Sequence, residues 1–273
     1  MKNINVIAMA GIGTRFLKKN YITPKPLILI NNKPMFYYAT KSLPKSNKNI
    51  FICNNKLKKY PIFKSTIKEF FKKSKIIYIK RKTSGQASTC NLATKFIKNN
   101  SKIFYSSCDY QFKIDRSKCD QLLSYCDIVV FTNKPTKNHI SNYKQYGWVK
   151  KGKKNSIIEI ECKNKVSNKL NKDLVVVGSF VFKNKKIFIN SYNEMIRQRH
   201  MVNNEYFMDT LIKYSIKLNY NVKYQLVNSF NSFGTPAELN IWKPTSKAEF
   251  TPPDSPQKLN NDWDVSWLEF NEI

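Results

Sequence analysis

The chain has 273 residues, 41% hydrophobic and 14% aromatic, which allows one large buried core with or without an appendage. Six cysteines (53, 90, 108, 119, 126 and 162) form no CxxC pair and stand beside neither histidine, which argues against a zinc cluster or disulfide framework and for core thiols in a reducing compartment. The formal charge of +30 suits small phosphorylated anions better than a nucleic-acid site, because its lysines are spread through the body with Asn and Ile, as an AT-rich coding sequence would produce.

INVIAM (4–9) reads as a buried strand; the apolar stretch is too short for a membrane span and lacks a signal-cleavage pattern, so a cytoplasmic protein is expected. NIFIC (49–53), KIIYI (75–79), KIFYSS (102–107) and DIVVFT (127–132) read as further strands. Helical spacing fills the intervals, in KPMFYYATKSL (33–43), IFKSTIKEFFKKS (62–74), ASTCNLATKFIKNN (87–100) and RSKCDQLLSYC (116–126). This alternation predicts a mostly parallel sheet with helices on both faces and a site beyond the carboxyl ends of the strands. From about 145 the texture turns β-rich, in YGWVKK, SIIEIEC and LVVVGSFVF. Helices are expected at 184–200 and 205–218, a strand at 221–227, and a short helix after Gly234-Thr235-Pro236.

Beyond Trp242 the sequence becomes loop-like, and residues 244–273 carry net charge −4, leaving +34 on the body. The expected division is therefore 1–243 as the domain and 244–273 as an acidic tail. Trp263, Trp267 and Phe270 would share one face of a helix, which predicts that the tail docks on its own body or a second copy of the chain, with a partner protein or a disordered tail as the alternatives.

The first loop, AGIGTRFLKKNYITPKP (10–26), concentrates unusual residues. Two of the chain's 7 glycines, Gly11 and Gly13, follow the first strand, where they permit a tight turn and let backbone amides face an anion. Arg15, one of five arginines, adds a planar fork for phosphate oxygens. Lys25 is flanked by Pro24 and Pro26, which restrict the backbone and position its ammonium.

MAGIGTRF followed by YITPKPLILINNKPM resembles the signature of the nucleotidyltransferases that couple a nucleoside triphosphate to a sugar 1-phosphate or similar acceptor, especially members from capsule and cell-surface clusters. Weaker motifs continue the resemblance to about residue 243. It implies an α/β, Rossmann-like, glycosyltransferase-A-type domain with a mixed, mostly parallel sheet. It also implies Mg2+ as cofactor, pyrophosphate as product, and a place in nucleotide-sugar and polysaccharide synthesis.

By the same resemblance, Ala10, Gly11, Gly13, Thr14 and Arg15 would wrap the triphosphate, and Lys25 would meet the reacting phosphates. Gly85 and Gln86 in TSGQAST would meet the base, and Asp109 in YSSCDY would bind magnesium. Gly147, Glu161, Lys163, Gly178 and Glu205 would line the acceptor pocket. Two departures stand out: Ser232 occupies the position of a second metal-binding aspartate in many members, and Cys162 separates the usual Glu-Lys pair.

Six of the seven glycines fall in these segments or in Gly234-Thr235, which suggests backbone approach to a ligand; Gly152 reads as a plain turn. His139 and His200 read as surface residues. Alternative readings are a glycosyltransferase, although SCDYQ offers only one Asp of an Asp-x-Asp motif, and a nucleotide-binding regulatory or scaffold protein without turnover, suggested by Ser232. A nucleic-acid binder would instead show salt-sensitive oligonucleotide affinity.

Overall fold

A computed structural model describes residues 2–242, and the expected tail at 244–273 lies outside the described residues. In chain order the first half comprises β1 (Lys2–Met9), α1 (Thr14–Leu17), β2 (Leu29–Ile30), β3 (Lys33–Pro34), α2 (Met35–Ser42), β4 (Lys48–Asn54), α3 (Pro61–Phe70), β5 (Ser74–Ile79), α4 (Gln86–Asn91) and β6 (Ser101–Ser107). There follow β7 (Tyr110–Lys113), α5 (Arg116–Tyr125), β8 (Ile128–Asn133), α6 (Lys137–Ser141), β9 (Gly147–Lys151), β10 (Ile157–Cys162) and β11 (Leu174–Phe182). The described chain closes with α7 (Lys185–Arg197), α8 (Met208–Lys217), β12 (Val222–Leu226), β13 (Ser229–Ser232) and α9 (Pro236–Asn240).

The main sheet is mixed, in the order β10-β9-β11-β6-β1-β4-β5, with β8 pairing β11 and β12. Strands β6, β1, β4 and β5 run parallel, as the strand–helix alternation requires, and β12 runs parallel to β8. Strand β11 is antiparallel to β6, β8 and β9 and joins the halves. Its register shifts between Val176 and Phe180, around Gly178 at φ 84°, so one strand pairs β9 near its start and β6 near its end.

The period-2 pattern of β1 divides the core. Val6 joins a cluster with α4, α7 and α8, including Tyr105, Phe188 and Leu211. Ile7 faces the other side, with Phe36 of α2, Phe63 of α3 and Leu122 of α5. Tyr105 and Phe188 stack at 4.5 Å, and aromatic pairs of this kind add about 0.5–1.5 kcal/mol beyond area burial. Helix starts are fixed locally, with Asp115 accepting from Lys118 N at 3.0 Å and Asn184 from Ile187 N at 3.1 Å.

Three expectations are corrected. The helix expected over 87–100 ends at Asn91, after which i→i+3 bonds such as Ala93 N to Cys90 O tighten the chain into a 3-10 turn at Thr94–Phe96. The helix expected from 205 begins at Met208, because Tyr206 is committed to backbone pairing with Ser84 and Ala87. His139 is buried, not superficial: its Nδ1 accepts from Thr136 N at 3.0 Å in a capping box at the start of α6. All six cysteines are buried and unpaired, as core thiols. Among the described residues no helix is long and apolar enough to cross a membrane.

Candidate active site

The carboxyl ends of β1 and β6 bring the first loop and Asp109 together. Gly13 sits in the left-handed region at φ 74°, and no side chain caps the helix that follows. Phe16 N and Leu17 N both donate to Gly13 O, at 2.9 and 3.2 Å, so the turn closes directly on the glycine. Gly11 has open space where a side chain would be, and Thr14 and Arg15 are exposed. A Cβ on Gly13 would stand 3.0 Å from Lys25 Cβ, so the glycine also lets the loop lie down on Lys25.

Lys25 is the residue that ties this end of the sheet together. Pro24 holds an extended backbone, and Lys25 opens a 3-10 turn over Lys25–Leu27. Its Nζ donates to Asp109 Oδ2 at 2.6 Å and to Gly234 O at 3.3 Å, and lies 5.5 Å from the Phe16 ring centroid. Both side chains of the pair are mostly buried, at 18% and 13% exposure. Burial alone would push the Asp109 carboxyl up, but the Lys25 ammonium and its hydrogen bond, with lesser contributions from Ser107 and the backbone, together hold the carboxyl below its ordinary value. The other oxygen, Asp109 Oδ1, is buried and makes no hydrogen bond within the protein.

The 83–89 loop is built on Gly85. Its carbonyl accepts from Thr83 Oγ1 at 3.2 Å and Thr89 Oγ1 at 3.0 Å, and its φ of 123° is open to glycine. Gln86 begins α4, which packs along β1. Gln86 Nε2 is buried without a hydrogen-bond partner, an arrangement that costs about 1–3 kcal/mol unless a ligand accepts from it.

The residues expected at the acceptor lie around β9, β10 and the start of α8. Glu161 is ion-paired with Lys213, Glu205 pairs with Lys82 at 2.8 Å, and Lys163 Nζ lies 4.3 Å from the Phe207 ring centroid. Three glycines receive a different explanation from backbone approach to a ligand. A side chain at Gly85 would meet Tyr206 N and O at 2.6 Å, one at Gly147 would strike the Asp209 carboxylate, and one at Gly178 would meet the Tyr110 ring. At these three positions the close neighbour is the protein itself.

The sequence reading missed Tyr110, Tyr146, Asp209 and Glu238. Tyr146 Oη donates to Glu238 Oε1 at 2.8 Å, and burial with Glu238 pushes the phenol up while Arg15 opposes. Burial pushes the Tyr110 phenol up, and the nearby Asp109, Glu238 and Asp209 carboxylates add to it. Burial raises the Asp209 carboxyl to about 7, partly offset by the Cys162 thiol and Lys163. Asp209 lies four residues beyond Glu205 and Glu238 four beyond Gly234, each in the first turn of the helix that follows the motif residue.

No protein-family model matches the sequence, and no curated protein matches it. Solved structures do match. The nucleoside-diphosphate-sugar pyrophosphorylase from Vibrio cholerae RC9 superposes with a TM-score of 0.72 at 20% identity, over 87% of this chain and 98% of that one. The inositol-1-phosphate CTP transferase from T. maritima gives 0.67 at 15%, over 87% and 91%. HddC from Yersinia pseudotuberculosis gives 0.64 at 18%, over 89% and 98%. The described chain thus has the Rossmann-like, glycosyltransferase-A-type fold of these proteins.

Proposed function

We propose that the protein is a magnesium-dependent nucleotidyltransferase that joins a nucleoside triphosphate to a sugar 1-phosphate or similar phosphorylated small molecule, for nucleotide-sugar and surface-glycan synthesis in the cytoplasm. The observation that carries the reading is the convergence of the Gly13 loop, Lys25 and Asp109 at the carboxyl ends of β1 and β6. Ligands of open α/β sheets bind at such ends.

In this reading an acceptor phosphate oxygen attacks the α-phosphorus in line; the new O–P bond forms as the bond to the β-phosphate oxygen breaks, and pyrophosphate leaves. Ala10, Gly11, Gly13, Thr14 and Arg15 hold the triphosphate, and the Lys25 ammonium meets charge at the reacting phosphates. Gln86 donates its unpaired Nε2 to the nucleobase beside Gly85. Glu161, Lys163 and Glu205 bind the acceptor between walls shaped by Gly147 and Gly178. Magnesium would be held by Asp109 and would supply charge neutralisation at the phosphates. The unpaired Asp109 Oδ1 fits it, as does the Lys25 ammonium standing as a cation on Oδ2.

The test is a pyrophosphate-release screen of the nucleoside triphosphates against sugar 1-phosphates and amino-alcohol phosphates. Acceptor-dependent release from at least one pair supports the reading. Tight nucleotide binding with no release from any pair would favour a non-catalytic binder, the reading that Ser232 suggests.

A further inference from the structure

We infer that Glu238 supplies the second carboxylate of a divalent-cation site with Asp109, in place of the acid that Ser232 cannot provide; the site's purpose rests on the nucleotidyltransferase reading. The geometry centres on Gly234. A Cβ built there would lie 3.3 Å from Glu238 Oε2, 3.4 Å from Asp109 Oδ2 and 3.5 Å from Ser232 Oγ. Three oxygens from two parts of the chain therefore lie around one bare side of a glycine, and two belong to carboxylates. A Ser at 232 brings a neutral oxygen to that place, whereas Glu238 reaches it with a charge from the first turn of α9.

Glu238 is held in position. Its Oε1 accepts from Tyr146 Oη at 2.8 Å and its Oε2 from Thr235 Oγ1 at 3.1 Å, while its backbone N donates to the same Thr235 hydroxyl at 3.2 Å. Asp109 is 9% exposed, with Oδ1 buried and unpaired. The attraction of the place for a cation is already visible, because the Lys25 ammonium sits on Asp109 Oδ2 and on the Gly234 carbonyl. Hard cations such as Mg2+ and Mn2+ select oxygen donors, and one or two carboxylates suffice when phosphate oxygens or water complete the shell. Among the described residues no group of three or more His, Cys, Asp or Glu is placed to hold a metal.

The experiment is a titration of the full chain with Mn2+ alone, reading free Mn2+ by its electron paramagnetic resonance signal. Wild type should hold one Mn2+, and Glu238→Gln should weaken binding by about tenfold or more. Ser232→Asp should restore binding in the Glu238→Gln background and tighten it in the wild type, which keeps the test open if Glu238→Gln folds poorly. A wild type that holds no Mn2+, or a folded Glu238→Gln protein with wild-type affinity, overturns the inference. Pyrophosphate release separates the two ideas. Loss of Mn2+ in Glu238→Gln with no release by wild type leaves the site and removes the reaction; release with unchanged Mn2+ affinity does the reverse.

Discussion

Lys25 and Asp109 form an ion pair that is largely out of water, so neither partner is removable alone without cost. Lys25→Met would leave the Asp109 carboxylate buried against an apolar stem. It should lower stability by about 3 kcal/mol, as breaking buried pairs does, and the Lys25→Met/Asp109→Asn double variant should recover most of that loss. Urea unfolding of Lys25→Met, Asp109→Asn and the double variant checks this, and an additive double variant would mean the pair is not coupled. The depressed Asp109 carboxyl contributes stability above the ordinary carboxylate range, and that contribution is lost as pH falls through its folded value. Asp209 has the opposite sign. Its folded value of about 7 stands above the usual carboxylate value near 4, so the native state binds the extra proton between them. Stability from this group is present at low pH and falls as pH rises towards 7. Asp209→Asn should therefore gain on wild type between pH 4.5 and 7.5 in urea unfolding, whereas parallel pH profiles would remove Asp209 as a buried acid.

At the scale of elements, the 83–89 loop and the segment before α8 behave as one unit. Tyr206 N donates to Ser84 O at 2.6 Å and Ala87 N to Tyr206 O at 3.0 Å, with Gly85 between them. Gly85→Ala places a methyl against the Tyr206 backbone at a φ that disfavours side chains, which should cost about 1–3 kcal/mol. Because Gln86 follows directly, the same change should weaken nucleotide binding; calorimetric titration with unchanged affinity would separate Gln86 from the base. The strands around β1 were legible because runs such as NIFIC and KIFYSS are short, apolar and bounded by polar turns. Strands β7 and β13 were not: YQFK and SFNS are half-polar and pair only with each other, far apart in sequence. The truncation of α4 was also hidden, since Thr89 and Thr94 hydroxyls bond to backbone carbonyls in competition with helical continuation.

Across the whole molecule, the two core faces follow from periodicity, and the approach of the first loop to Asp109 follows from the carboxyl ends of β1 and β6 lying side by side. What periodicity cannot supply is long-range complementarity. Nothing local pairs Tyr146 with Glu238 or seats Asp209 against Gly147, and the glycines that looked ligand-facing at 85, 147 and 178 answer to such internal neighbours. Arg15 is different, because it is exposed and, among the described residues, makes no hydrogen bond or ion pair, its charge acting only on the Tyr146 phenol nearby. Arg15→Ala should leave the melting temperature unchanged and lower kcat/KM by about 100- to 1,000-fold, through lost charge stabilisation at the phosphates. Wild-type turnover at equal folded fraction would exclude it from the reaction.

The most direct measurement is 31P nuclear magnetic resonance of a single reaction mixture containing the protein, Mg2+, a nucleoside triphosphate and a sugar 1-phosphate found by the release screen. Pyrophosphate and a nucleoside diphosphate-linked acceptor should accumulate one for one, dependent on both substrates and abolished by Asp109→Asn. Orthophosphate with nucleoside diphosphate as the only products, or the same turnover in Asp109→Asn, would contradict it.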